Sequence, residues 1–238
     1  MVTGGRMRIA AQKIEKNAAQ AEAIVSHVRD YLSRPRKGIH VSDLLFPRRA
    51  YFSRKHPEIE LTEEEVGRFI AGRGHHQIIQ AMTTSPEFRE VSVERSGISG
   101  HIDIYKELPV EIKTTRAMKV ATKDELSPHY IEQLGMYCAL VNINRGQLLL
   151  LHLGIREVGK HGMTPKLVVY DVSFHDLDAI KREMLGRKIA LEKALAEDDP
   201  KSLAPCPEWM CDGCKYAEFC RVTQLEKTAA ETLGGSHV

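Results

Sequence analysis

Residues 100–115 read Gly100-His-Ile-Asp103-Ile-Tyr-Lys-Glu-Leu-Pro109-Val-Glu111-Ile-Lys113-Thr-Thr115. The stretch predicts two short strands joined by a turn near Lys106 to Pro109. Side chains alternate across a strand, so Glu111 and Lys113 share one face. Val110 and Ile112 take the other, which suits a core. In the preceding strand Asp103 stands between Ile102 and Ile104. Two carboxylates and one amine can therefore converge beside a hydrophobic sheet. Such a group suits a hard divalent cation, which prefers carboxylate, carbonyl and water oxygens. A lysine next to it can orient or help activate water, or stabilise charge building on a phosphate. Glu-x-Lys on its own also describes an ordinary solvated strand face. The preceding Gly-x-x-Asp and the apolar alternation favour the metal reading.

Outward from these strands, the pattern predicts alternating helices and strands. Residues 1–7 read as a flexible start. A helix is expected over 9–32, with a stripe of Ile14, Ala21, Ile24, Val25, Val28 and Leu32, ended by Arg34-Pro-Arg-Lys-Gly38. Ser42-Asp43 are candidates to cap a short helix before Pro47. Thr62-Glu-Glu-Glu resembles a capping box opening a helix to about Met82. Strands are expected at 90–93 and 97–105, then at 109–115. A helix starting at Ser127-Pro128 should run to about Val141, with proline in its first turn. Further strands at 147–153 and 167–172 precede a long helix over 176–197. A cysteine-rich segment and a short polar tail end the chain. No internal repeat or low-complexity segment is present. This order implies an α/β core with helical decoration. It divides into a basic helical part over 1–60, a core over 61–198 and a C-terminal segment over 199–238.

At 238 residues the chain can hold one large domain or two small ones. With 42% hydrophobic and 28% charged residues it reads as globular. Apolar stretches such as Leu148 to Leu153, with His152 inside, are only strand-sized and no run of about 18 apolar residues exists, so no membrane span is expected. No apolar signal core opens the sequence, so a cytoplasmic location is expected. The net charge is +2, yet residues 1–60 hold twelve Lys/Arg against six Asp/Glu. That local excess fits a phosphate-backbone partner, and equally an ordinary solvated helix.

Five cysteines are present, and Cys206, Cys211, Cys214 and Cys220 fall within fifteen residues. In an intracellular chain such a cluster favours metal or iron–sulfur ligation over disulfides. Its spacings, x4, x2 and x5, allow a 4Fe–4S cluster or a tetrahedral Zn²⁺ and do not decide between them. Cys138 instead shares an apolar helical stripe with Leu134 and Val141, as a buried thiol would. On another side of that helix His129, Gln133 and Tyr137 recur at helical spacing. His129 faces either a cleft or the surface on this reading.

Taken in order, several pieces resemble one family. They are Gly72-Arg-Gly-His-His76, Gly100-x-x-Asp103, Glu111-Ile-Lys113, Gln133-Leu-Gly-Met-Tyr137 and Cys211-x2-Cys214-x5-Cys220. The set is similar to the RecB-like nucleases of the PD-(D/E)XK superfamily. It looks closest to the CRISPR-associated RecB-like exonucleases and their phage and archaeal-virus relatives. The resemblance covers roughly residues 40–222. It implies a restriction-endonuclease-like mixed β-sheet flanked by helices, and a DNA exonuclease or endonuclease acting on single strands or ends. It implies Mg²⁺ or Mn²⁺ held by His76, Asp103, Glu111 and the Ile112 carbonyl, with Lys113 as the catalytic lysine. His75 is the rival to His76, and Gly72 favours His76 by the family's spacing. Gln133 and Tyr137 would help hold DNA. Protein partners in a CRISPR-adaptation or recombination complex are also implied.

The same resemblance favours a 4Fe–4S cluster over zinc, with Cys211, Cys214 and Cys220 as three ligands. Relatives place the fourth far upstream, where this chain has Phe46 in Val41-Ser-Asp-Leu-Leu-Phe46-Pro-Arg-Arg49. Cys206 is the local replacement, which should pin the N-terminal helices less directly. Arg48, Arg49 and Tyr51 remain there, to contact phosphate or a base or simply to begin a solvated helix. Rival readings are a non-catalytic DNA-binding or assembly subunit, a restriction-type endonuclease and a zinc-binding nuclease. Competent residues at every catalytic position weigh against the first. The terminal cysteines weigh against the second.

Overall fold

The computed structural model describes residues 18–33, 37–156, 162–211 and 213–222. The expected flexible start, Ile14 of the first stripe, the Arg34–Arg36 stop and the polar tail lie outside the described residues. The helices are α1 (Ala18–Leu32), α2 (Val41–Leu45), α3 (Pro47–Lys55), α4 (Glu63–Thr83), α5 (Pro128–Val141) and α6 (Leu177–Glu197). The strands are β1 (Ile39–His40), β2 (Arg89–Arg95), β3 (Ile98–Tyr105), β4 (Pro109–Thr115), β5 (Arg145–Arg156) and β6 (Met163–Ser173).

All six strands form one mixed sheet in the order β1-β3-β4-β5-β6, with β2 paired to β3. β2 runs antiparallel along one edge of β3, from Arg95↔Ile98 to Arg89↔Ile104. The other edge of β3 is shared by β1 at its start and β4 at its end. β4 and β5 are parallel, so the chain must cross over between them, and α5 is that crossover. β6 closes the far edge antiparallel to β5.

Alternation along the strands sends side chains into two layers. Val110, Ile112 and Leu149 pack with Ile104 and reach Ile79 of α4. Leu148, the neighbour of Leu149, points the other way and packs with Leu134 and Cys138 of α5. The sheet is thus covered by α4 on one face and α5 on the other, with α6 packed against α5. This is a restriction-endonuclease-like mixed sheet flanked by helices, as the family resemblance implies. A larger cluster joins Ile39, Val41, Leu44 and Phe52 to Ile98, Tyr137, Leu191, Leu203 and Tyr216. Residues from before 60 and after 198 therefore share one core with the sheet.

Helix starts follow local chemistry. The Thr62 hydroxyl accepts from Glu65 N, and the Glu65 carboxylate accepts from Thr62 N, so the expected capping box opens α4. Asp176 caps α6 by accepting from Ala179 N. The Ser42-Asp43 expectation is corrected by two residues at the cap, while Asp43 keeps a part in it. α2 begins after His40, and Asp43 reaches back to accept from His40 N at 2.8 Å. β1 was not expected; two residues are too few to show a period.

Candidate active site

β3 and β4 pair only at Ile104↔Val110 and Tyr105↔Pro109. Toward Asp103 the two strands part. The Asp103 carboxylate bridges the opening, its Oδ2 accepting from Ile112 N at 2.7 Å. Its Oδ1 faces His76 Nδ1 of α4 at 3.5 Å. Glu111 is 2% exposed. One oxygen, Oε1, pairs with Lys113 Nζ. The other, Oε2, is buried and has no hydrogen-bond partner among the described residues. Lys113 Nζ also donates to Gln133 Oε1 at 2.8 Å, and Gln133 Nε2 donates to the Tyr137 hydroxyl at 3.1 Å. A chain of side chains on α5 thereby fixes where the ammonium stands.

Burial dominates the electrostatics. It pushes the Glu111 carboxyl up to about 7; Lys113 opposes the rise and Asp103 adds to it. For Lys113 burial works against the charge, but the adjacent Glu111 outweighs it and the net direction is upward. Tyr137 is held well above the usual phenol range, first by burial and then by Glu111. The negative charge here is excessive for so dry a place, and a cation would relieve it.

Of the two adjacent histidines, His76 lies against Asp103, while His75 Nδ1 turns back to Ala71 O at 2.6 Å. Among the described residues, no three His, Cys, Asp or Glu side chains are drawn into one metal-ligand cluster. The groups that could serve as donors are two carboxylates, one imidazole and the Ile112 carbonyl, on three elements. Their chemistry fits a hard or borderline divalent ion. The unpartnered Glu111 Oε2 is the atom such an ion would satisfy.

A cleft opens beside Asp103 and His76, lined also by Arg49, Arg73, Glu90 and Trp209. Glu90 stands opposite Asp103 in the β2–β3 register. Its backbone is left-handed, with φ 49°, and the pair drops out of the ladder. The buried Gln80 fills the gap, donating to Asp103 O and to Glu90 Oε1, each at 2.9 Å. Sequence reasoning missed Glu90 because Glu90-Val-Ser-Val reads as plain strand. It read Trp209 only as spacing between cysteines.

Two expected DNA contacts need correction. Arg48 is 2% exposed; its Nη2 donates to Leu203 O at 2.6 Å. It ties α3 to the C-terminal segment and presents nothing to a phosphate. Tyr137 is also buried and spends its hydroxyl on Gln133. Arg49 does line the cleft, sharing its charge with Glu65 at 3.1 Å. His129 packs against Phe46 and Trp209, with ring centroids 5.1 and 6.1 Å away.

A model of the PD-(D/E)XK nuclease superfamily matches residues 9–221. The chain belongs to this superfamily. Among solved structures, the crystal structure of SSO0001 is similar with a TM-score of 0.57 and 20% identity, over 84% of this chain and 96% of that one. That likeness is one of fold. A phage-related exonuclease from Haemophilus somnus 129PT also aligns, with a TM-score of 0.40 and 13% identity, over 79% and 92% of the two chains. No curated protein matches. The protein is thus a hydrolytic nuclease by family, with DNA as the substrate the family implies and Mg²⁺ or Mn²⁺ as the usual metals.

In this nuclease Cys206, Cys211, Cys214 and Cys220 line one small pocket with Arg49 and Phe52. Burial pushes the Cys206 thiol up to about 11, and Cys220 and Cys214 add to the rise. Four thiols on one pocket suit a thiophilic centre, which would take them as thiolates. Cys138 lies elsewhere, fully buried between α5 and the sheet. The N-terminal helices are pinned here after all, by rings rather than by a ligand. Phe52 meets Tyr216 and Phe219, and His56 stacks on Phe219 at 4.4 Å.

Proposed function

We propose that this superfamily member is a metal-dependent DNA exonuclease that hydrolyses phosphodiester bonds of single-stranded DNA or at DNA ends. The observation that carries the reading is Glu111 Oε2, a buried oxygen without a partner among the described residues, grouped with Asp103, His76 and Lys113. A purely structural carboxylate at that depth would have both oxygens satisfied. His76, Asp103, Glu111 and the Ile112 carbonyl would hold Mg²⁺ or Mn²⁺. Bound there, the ion supplies Lewis-acid activation of water and neutralises charge on the phosphate. Lys113 keeps its proton and presents a fixed positive charge to the same phosphate. Gln133 holds Lys113, and Tyr137 holds Gln133, so α5 positions the ammonium. Arg49 contributes a cation at the cleft wall.

The preference for single strands and ends, the 4Fe–4S occupant of the cysteine pocket and a cytoplasmic place beside CRISPR-adaptation or recombination proteins are supported by the ordered motifs shared with the CRISPR-associated RecB-like exonucleases. Zinc is the alternative occupant of the cysteines.

Purified protein with Mg²⁺ or Mn²⁺ should degrade a linear single strand and spare a closed single-stranded circle. Asp103→Asn, Glu111→Ala and Lys113→Ala should each reduce cleavage by roughly a hundredfold or more, the usual scale for lost transition-state charge stabilisation, and retain DNA binding. Near-normal cleavage by Glu111→Ala would falsify the assignment. After anaerobic purification, iron and sulfide with a brown colour should depend on Cys206, Cys211, Cys214 and Cys220 and persist in Cys138→Ser. One zinc without iron would move the cysteine pocket to the alternative.

A further inference from the structure

The cleft beside Asp103 has a wall that the chemistry above leaves unused. Trp209 and Met210 form it, on the 3-10 turn Glu208–Met210 between Cys206 and Cys211. Trp209 is the chain's one tryptophan, and it is 60% exposed. Phe69 of α4 lines the same cleft and is 45% exposed. Exposed aromatic surface beside a polar catalytic floor marks a place where something apolar comes to rest.

The indole is not loose. It meets the Phe46 ring edge-on at 6.4 Å and the His129 ring at 6.1 Å. Those contacts leave much of its surface open. Arg49 and Arg73 line the same cleft, Arg73 steadied over the Tyr31 ring at 5.7 Å. Cations alongside exposed aromatic rings are how proteins hold a single strand without regard to sequence. The cations take the phosphates, and the rings take the base faces. A duplex hides those faces in its own stack.

We infer that Trp209, with Phe69 in the same cleft, is a base-stacking platform that seats single-stranded DNA with its neighbouring phosphodiester over Asp103 and Glu111. The inference rests on the nuclease reading and adds a substrate-selecting residue to it. It also gives the cysteine segment a part in substrate binding, because Trp209 stands on the turn between Cys206 and Cys211.

The single tryptophan makes the test direct. In the Glu111→Ala background, titration with a mixed-sequence single strand should quench indole emission. An abasic strand of equal length should bind more weakly and leave the emission nearly unchanged. Trp209→Ala should weaken binding of the natural strand roughly tenfold and leave the abasic strand unaffected. Trp209→Phe should recover most of the loss and Trp209→Leu little. Those two both keep bulk, so they separate stacking from packing even if Trp209→Ala disturbs the segment, which melting temperatures will register. Equal quenching by natural and abasic strands, or unchanged affinity in both Trp209→Ala and Trp209→Leu, overturns the platform while wild-type cleavage leaves the nuclease reading standing. A wild-type protein that neither binds nor cuts DNA overturns both.

Discussion

Asp103 is asked to do two things with one carboxylate. Oδ2 satisfies Ile112 N where the strands part, and Oδ1 faces His76. Asparagine can still accept that N–H, but alanine leaves it buried and unpaired. Asp103→Ala should therefore be destabilised by about 1–3 kcal/mol relative to Asp103→Asn, although both lose cleavage. Denaturant midpoints of the two variants check this. Glu90 offers a second comparison. Its φ of 49° is costly for any residue with a Cβ. Glu90→Gly should be about 1 kcal/mol more stable than Glu90→Ala, since both lose the carboxylate and only one keeps the strain. Cys138 differs from the other thiols in kind. Burial pushes it up to about 12, so at pH 8 it stays protonated. Alkylation of the native protein at that pH should leave Cys138 unmodified by mass spectrometry, and unfolding should expose it.

At the scale of elements, α5 is the part on which the site depends. Gly100 explains how closely it sits. A Cβ there would lie 2.8 Å from Tyr137 Cε1 and 3.2 Å from Leu140 Cδ1. Gly100→Ala should push α5 off β3, costing about 1–3 kcal/mol and loosening the Tyr137–Gln133–Lys113 chain. Cleavage should fall with it, while affinity for Mn²⁺ measured by calorimetry should change little. The strands and helices around this point were legible because each carries a period or a cap. Alternation marked β3 and β4, Thr62 and Pro128 marked α4 and α5, and Glu111 with Lys113 marked the edge of the candidate site. What stayed hidden depends on partners far along the chain. Nothing near Arg48 says that Leu203 O will claim it. Nothing near Trp209 says that a cleft opens beside it. The left-handed turn at Glu90 carries no glycine to announce it.

For the whole molecule, the C-terminal segment is structural before it is anything else. Arg48 bonds to Leu203 O, Tyr51 to Asp198 at 2.7 Å, and Lys215 to Ile59 O. Arg48→Met keeps the bulk and removes the bond. It should destabilise the fold by about 1–3 kcal/mol and leave the salt dependence of DNA binding unchanged. Arg49→Met should do the reverse, lowering the slope of affinity against salt with a smaller effect on melting.

The core shared by Phe52, Leu203 and Tyr216 also sets an order of events during synthesis. A ribosome adds roughly 5–20 residues per second, N-terminus first. Phe52 is therefore made on the order of ten seconds before the rings that cover it. During that interval α2 and α3 carry an uncovered apolar face on a chain already able to form most of its sheet. Synthesis of residues 203–219 is thus the step that covers this sticky face of the nascent chain. A chain stopped after Asp198 should aggregate, and a pause in translation just before residue 203 should lower the soluble yield more than the same pause before residue 40.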